Sequence, residues 1–232
     1  METMTCIALL IAVESVFMVW LTVNEETGPL PAVRINMFMI SLFAPMLVGA
    51  GQITTNLGNV FYAAVVCCQC VLLELRGPPA AQKSIPQVNM VMVVLFAMCW
   101  VIERFPSVPG NEAFVEAAKT VAHHSLTVVT ASFVAFFLSQ QIMIRAWVRL
   151  RRVHGPVAAS LLASCACQAV DTPVFFSVAF WDQLSPAQIV DFASVGFLFK
   201  CVLAVAFVPA FLGAVRFSAV RPDDGVRSHL GC

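Results

Sequence analysis

The sequence predicts an all-α, polytopic membrane helical bundle of six to seven transmembrane helices, and three observations carry that reading. Hydrophobic residues make up 60% of the 232-residue chain and charged residues only 11%, against about 25% charged residues in an average soluble domain. Mean hydropathy is +0.88. The apolar residues also fall in runs of the length a bilayer requires, about 20 residues per helical span. A water-soluble globule and a disordered chain are excluded by this composition. The 13 basic and 13 acidic residues balance to zero and form no basic stripe, so the chain carries no footprint for nucleic acid.

Seven stretches have the required character. The first, Thr5–Val23, lacks the basic start and small-residue cleavage site of a signal peptide and reads as a retained helix. The second, Ile35–Ile53, contains Pro45, and the fourth, Val88–Ile102, is short, so six spans is the alternative count. The third, Leu57–Leu75, has Asn59 and Tyr62 with the preceding Asn56 at one end and Glu74 at the other. The longest connection, Glu103–His124, is broken early by Pro106, Pro109 and Gly110, and its later part from Asn111 has room for a short interfacial helix. The fifth span is Ser125–Trp147, the sixth Pro156–Phe180 and the seventh Ile189–Val215.

Orientation follows from the Lys/Arg bias of short loops. Arg145, Arg149, Arg151 and Arg152 form the densest basic cluster, Arg216, Arg221 and Arg227 add to the C-terminal tail, and Arg76 and Lys83 follow the third span. The connection after the sixth span carries Asp182 and Asp191 and no basic residue. Together these place the arginine loop and the C-terminus in the cytoplasm. Binding of anionic lipid or a partner is the alternative use of the arginines.

Charges within a span are costly and usually face the bundle interior or a water-filled cavity. Asp171 lies inside the sixth span and Lys200 inside the seventh. At about 1.5 Å rise per residue, both sit roughly 14–17 Å below the same surface, where they are placed to pair. Such a pair either fastens two helices or also lines a substrate cavity. Pro173 frees the carbonyl of Ala169 in mid-span, as in the broken helices of transporters, or simply kinks the helix. Gln168 lies one turn from Asp171 on nearly the same face, and Gln140 adds a further amide in the fifth span. Phe175 and Phe176 follow the Asp-Thr-Pro, and aromatic rings beside amides and a carboxylate suit a flat, polar heterocycle. With 19 phenylalanines in the chain, such a cluster also arises by chance.

No catalytic, metal or cofactor site is expected. Most of the nine cysteines lie in apolar runs and read as small hydrophobes. Cys67 and Cys70 have no second pair to complete a zinc site, and His123-His124 has no acidic or cysteine ligand at helical spacing. Neither a Ser–His nor a metal constellation stands at membrane depth, so an intramembrane enzyme is disfavoured. The phosphate loop G-x-x-x-x-G-K-[ST] is also missing.

Several ordered segments resemble one family. They are Leu57-Gly58-Asn59-Val60-Phe61-Tyr62, Glu74, Gly77 and Ala81, then Thr130–Phe136 with Ser139-Gln140, then Asp171-Thr172-Pro173-Val174-Phe175-Phe176, then Phe199-Lys200. This set is similar to the queuosine precursor transporter family, vitamin-uptake-like transporters related to the substrate-binding subunits of energy-coupling-factor importers. The resemblance implies import of 7-cyano-7-deazaguanine or a related 7-deazaguanine across the plasma (inner) membrane, with Asn59, Glu74, Gln140, Asp171 and Lys200 as carried-over site residues. Gln168, Phe175 and Phe176 join them from the reading above. Two positions that are acidic in the family are Cys70 and Met143 here. The alternatives are a vitamin-binding subunit served by a separate energy-coupling ATPase module, and a non-transport membrane scaffold. The expected organisation is an N-terminal helix and loop over 1–34, a transporter-like core over 35–216 and a cytoplasmic tail over 217–232.

Overall fold

The computed structural model describes residues 2–25, 27–44, 46–50, 53–106 and 109–220. Among them the chain forms seven helices and one two-stranded hairpin. In α1 (Glu2–Asn24), Leu9, Val13, Val16 and Trp20 recur every three or four residues and all are exposed, while Glu14, Met18 and Leu21 turn inward. An apolar stripe facing outward is the pattern of a helix solvated by lipid. Glu14 lies beside Asn36 of the next helix.

The second helix, α2 (Leu30–Phe43), begins earlier and ends sooner than the expected Ile35–Ile53. Strand β1 (Leu47–Ala50) and strand β2 (Ile53–Asn56) take the rest as an antiparallel pair, with Leu47 opposite Asn56 and Ala50 opposite Ile53. The local chemistry explains the correction. Gly49 and Gly51 weaken a helix, and Ile53-Thr54-Thr55 are β-branched. Pro45, the expected interruption, lies outside the described residues. Non-helical backbone at membrane depth is tolerated where protein covers it, and the hairpin packs against α1 and α6.

The expected third and fourth spans, with the loop between them, form one element, α3 (Gly58–Ile102, 45 residues). It is two helices joined at Gly77, whose φ of 76° and ψ of 176° lie in a region that only glycine occupies readily. Pro78 and Pro79 then open the second half, where a missing N–H is harmless. The Gln69 amide donates to Ser84 Oγ across the bend at 2.9 Å. Helix α2 lies so close to the start of α3 that a Cβ on Gly58 would stand 2.8 Å from Ala44 Cβ.

The expected interfacial helix after Asn111 is the beginning of α4 (Glu112–Leu150), continuous with the fifth span over 39 residues. At about 1.5 Å per residue this exceeds the hydrocarbon thickness of about 30 Å, so part of α4 projects beyond it. There His123 Nδ1 meets Glu103 Oε1 at 2.7 Å, a partner too far along the chain for helical spacing to reveal. Helix α5 (Pro156–Ala179) runs through Pro173. The expected seventh span divides at Phe207 into α6 (Pro186–Ala206) and α7 (Val208–Val220). Pro209 explains the division, because it offers no N–H to the carbonyl of Val205. Helix α6 packs on α5 and α3, whereas α7 packs on α1 and α3.

The core is apolar but also holds Asn36, Gln69, Gln140, Gln168, Asp171 and Lys200, while Phe137, Leu198, Val202 and Val205 face outward. Polar groups inside and apolar ones outside are expected of helices that span a membrane.

Candidate functional site

Helices α5 and α6 are joined by a short turn and pack against each other. Their packing brings Asp171 of α5 against Lys200 of α6. Lys200 Nζ donates to Asp171 Oδ2 at 2.8 Å and to Thr172 Oγ1 at 3.4 Å. Their side chains are only 3% and 4% exposed, and a charge so deeply buried is stable only when paired. The ring of Tyr62, on α3, lies under the ammonium with its centroid 4.4 Å from Nζ, a cation–π contact. The Tyr62 hydroxyl in turn hydrogen-bonds Ser139 Oγ of α4 at 3.1 Å. One polar cluster thus ties together four helices.

The cluster borders a small cavity. Asn56 and Asn59 line it at the start of α3, Ser132 comes from α4 and Phe175 from α5, and Ile40 and Ala44 of α2 complete the wall. Asn56 Oδ1 accepts from the Asn59 backbone N–H at 3.0 Å, which satisfies one of the free amide groups of the first turn of α3. The combination offers a carboxylate acceptor, an ammonium donor, amides able to do both and an aromatic face.

The other expected residues lie elsewhere. Phe176 stands 5.5 Å edge-on from Phe175 and stacks 5.6 Å from Phe180, and a Cβ on Gly196 would come within 3.1 Å of its ring. It therefore buttresses Phe175 and does not line the cavity. Gln140 is fully buried with Nε2 3.7 Å from Cys167 Sγ, behind the Tyr62–Ser139 contact. Gln168 lines a separate cavity. Glu74 is at the far end of its half of α3, about 22 Å from Asn59 by helical rise. There it accepts from Arg151 Nε and Nη2, both at 3.1 Å. That bond holds the Arg151 guanidinium above its ordinary range.

Tyr62, Asn56 and Ser132 are the additions the structure makes to the expected set. Tyr62 carried a signal in being the only tyrosine of the chain. Ser132 carried none, since serines in apolar helices commonly bond their own backbone.

Residues 56–214 match the family described as "Putative vitamin uptake transporter". The chain is also 29% identical over 165 residues to the "Probable queuosine precursor transporter" of Haemophilus influenzae (strain ATCC 51907 / DSM 11121 / KW20 / Rd), a match covering 66% of this chain and 66% of that protein. It thus spans just under two thirds of that relative's length. No solved structure matches. The family match encloses every residue of the cavity except Ile40 and Ala44. With these helices and this match, the chain is a multi-pass membrane protein that belongs to the putative vitamin uptake transporter family.

Proposed function

We propose that this protein imports a queuosine precursor, 7-cyano-7-deazaguanine or a related 7-deazaguanine, across the plasma membrane and binds it in the cavity beside Asp171 and Lys200. The observation that carries the reading is a buried ion pair bordering a small cavity that is also lined by Asn56, Asn59, Ser132 and Phe175. The description of the Haemophilus relative supports the substrate. Asp171 accepts from ring N–H or amino groups, a charge-assisted contact stronger than a neutral one. Asn56 and Asn59 read the remaining donor and acceptor edges, and Phe175 covers the flat face. Lys200 keeps Asp171 paired when no substrate is present.

Expression in cells unable to make 7-deazaguanines, supplied with the precursor in the medium, tests this. Queuosine in their tRNA is expected to return with the wild-type gene and stay absent with an empty vector. Absence of queuosine despite membrane-inserted protein contradicts the substrate.

The Asn59 end of the cavity faces outward and the Glu74–Arg151 end faces the cytoplasm in this reading, because the arginines cluster at the latter. A reporter inserted at His154 and one fused to the C-terminus are both expected on the cytoplasmic side. Labelling of either from outside reverses the topology.

A further inference from the structure

A second small cavity lies on the Glu74 side of the Asp171–Lys200 pair. It shares α3, α5 and α6 with the first, and α7 takes the place of α2 and α4 in its wall. On α3 the first cavity ends at Tyr62 and the second begins at Ala63. On α5 Asp171 gives way to Gln168, and on α6 Lys200 gives way to Ala204. The two cavities are therefore in line, with Tyr62, Lys200 and Asp171 in the layer between them.

The chemistry of the second cavity differs from that of the first. No charged side chain lines it. Gln168 is 0% exposed, yet neither its Nε2 nor its Oε1 has a hydrogen-bond partner among the described residues, and the same holds for Ser160 Oγ. Buried amides are almost always satisfied, so a fully buried carboxamide with both ends open, at the wall of a cavity, marks a place for a ligand with a donor and an acceptor side by side. Its neighbours offer no substitute. Ser164 Oγ donates to the Ser160 carbonyl at 2.7 Å, and Cys70 Sγ lies 3.5 Å from Ser164 Oγ. Phe207 and Val208 line the cavity where α6 gives way to α7, so one wall is a helix break.

We infer that this cavity is a second subsite on the transport path, which takes the uncharged, flat heterocycle after it has passed the Asp171–Lys200 layer. The Gln168 amide donates to a ring or carbonyl acceptor and accepts from an adjacent N–H. The inference rests on the transport reading above and adds a separate, cytoplasm-side station to it. Arrival there requires the Tyr62–Lys200–Asp171 layer to part, and the break at Phe207 is the point where α6 and α7 move independently.

The test measures equilibrium binding to the purified full chain and uptake by cells, both with radiolabelled 7-cyano-7-deazaguanine. Gln168→Leu removes the amide at similar volume, and Ala204→Leu narrows the cavity without touching a polar group. Each variant is expected to bind within twofold of wild type, because the first cavity is intact, and to lose uptake at least tenfold. Uptake at the wild-type rate by both variants overturns the subsite while leaving the transport reading standing. Parallel loss of binding and uptake in both also overturns it, since the second cavity is then not separate from the first. If Gln168→Leu fails to fold, Ala204→Leu decides by the same two outcomes. A wild-type protein that neither binds nor transports the probe overturns the transport reading and this subsite together.

Discussion

Asp171→Asn is expected to insert normally and to lose uptake about a hundredfold or more. The side chain keeps its shape and one acceptor oxygen but no longer carries the charge that matches Lys200 Nζ at 2.8 Å. Breaking a buried pair by removing one partner costs about 3–5 kcal/mol, and each 1.4 kcal/mol is about a factor of ten. Lys200→Met is expected to do the same from the other side, leaving a buried carboxylate with no cation beside it. The two single variants do not separate a structural pair from a binding pair, but the double variant does. Asp171→Asn with Lys200→Met removes both charges, and such neutral replacements are often tolerated or stabilising. If the pair only fastens α5 to α6, the double variant recovers stability and uptake together. With Asp171 as the substrate acceptor, stability recovers and uptake does not. Thermal stability in detergent and uptake by whole cells, measured on all four proteins, give the cycle.

Gly58→Leu is expected to be the most damaging change that touches no polar group. A Cβ at Gly58 meets Ala44 Cβ at 2.8 Å and Ala44 Cα at 2.9 Å, and a backbone atom cannot rotate out of the way as a side-chain tip does. Helix α2 must then move off α3. Overpacking of this kind typically costs about 1–3 kcal/mol, and here it strikes the wall of the first cavity, where Ile40 and Ala44 face Asn59 and Tyr62. Gly58→Ala is expected to lower thermal stability and weaken uptake several-fold, and Gly58→Leu to abolish uptake. Wild-type stability and uptake in Gly58→Leu contradict the close approach of the two helices.

The sequence was most legible where lipid is the solvent. Runs of apolar residues located the helices, because a spanning segment must be apolar over most of its length and must satisfy its own backbone. It was least legible where local backbone chemistry overrides the apolar run. The tract after Phe43 is as apolar as a span, yet its glycines and β-branched residues make it a hairpin. The break at Phe207 likewise divides an element whose hydropathy is continuous, while the bend at Gly77 carries the helix on through a stretch that reads as a polar loop. Within the site, Asp171 and Lys200 were found because charges inside a bilayer demand partners, and depth alone brought them level. Glu74 and Gln168 illustrate the limit of that method. Polarity marked both, but only the third dimension shows that one closes a contact with Arg151 and the other faces a different cavity.

Assignment of the Asp171–Lys200 cavity as the substrate site is tested most directly by a structure of the protein with 7-cyano-7-deazaguanine bound. The expected result is density for the base in the cavity, its N–H edge within hydrogen-bonding distance of Asp171 and its face against Phe175, with Asn59 at the opposite rim. Density for the base at another place, with the Lys200–Asp171 bond and the cavity beside it unchanged from the ligand-free protein, contradicts the assignment.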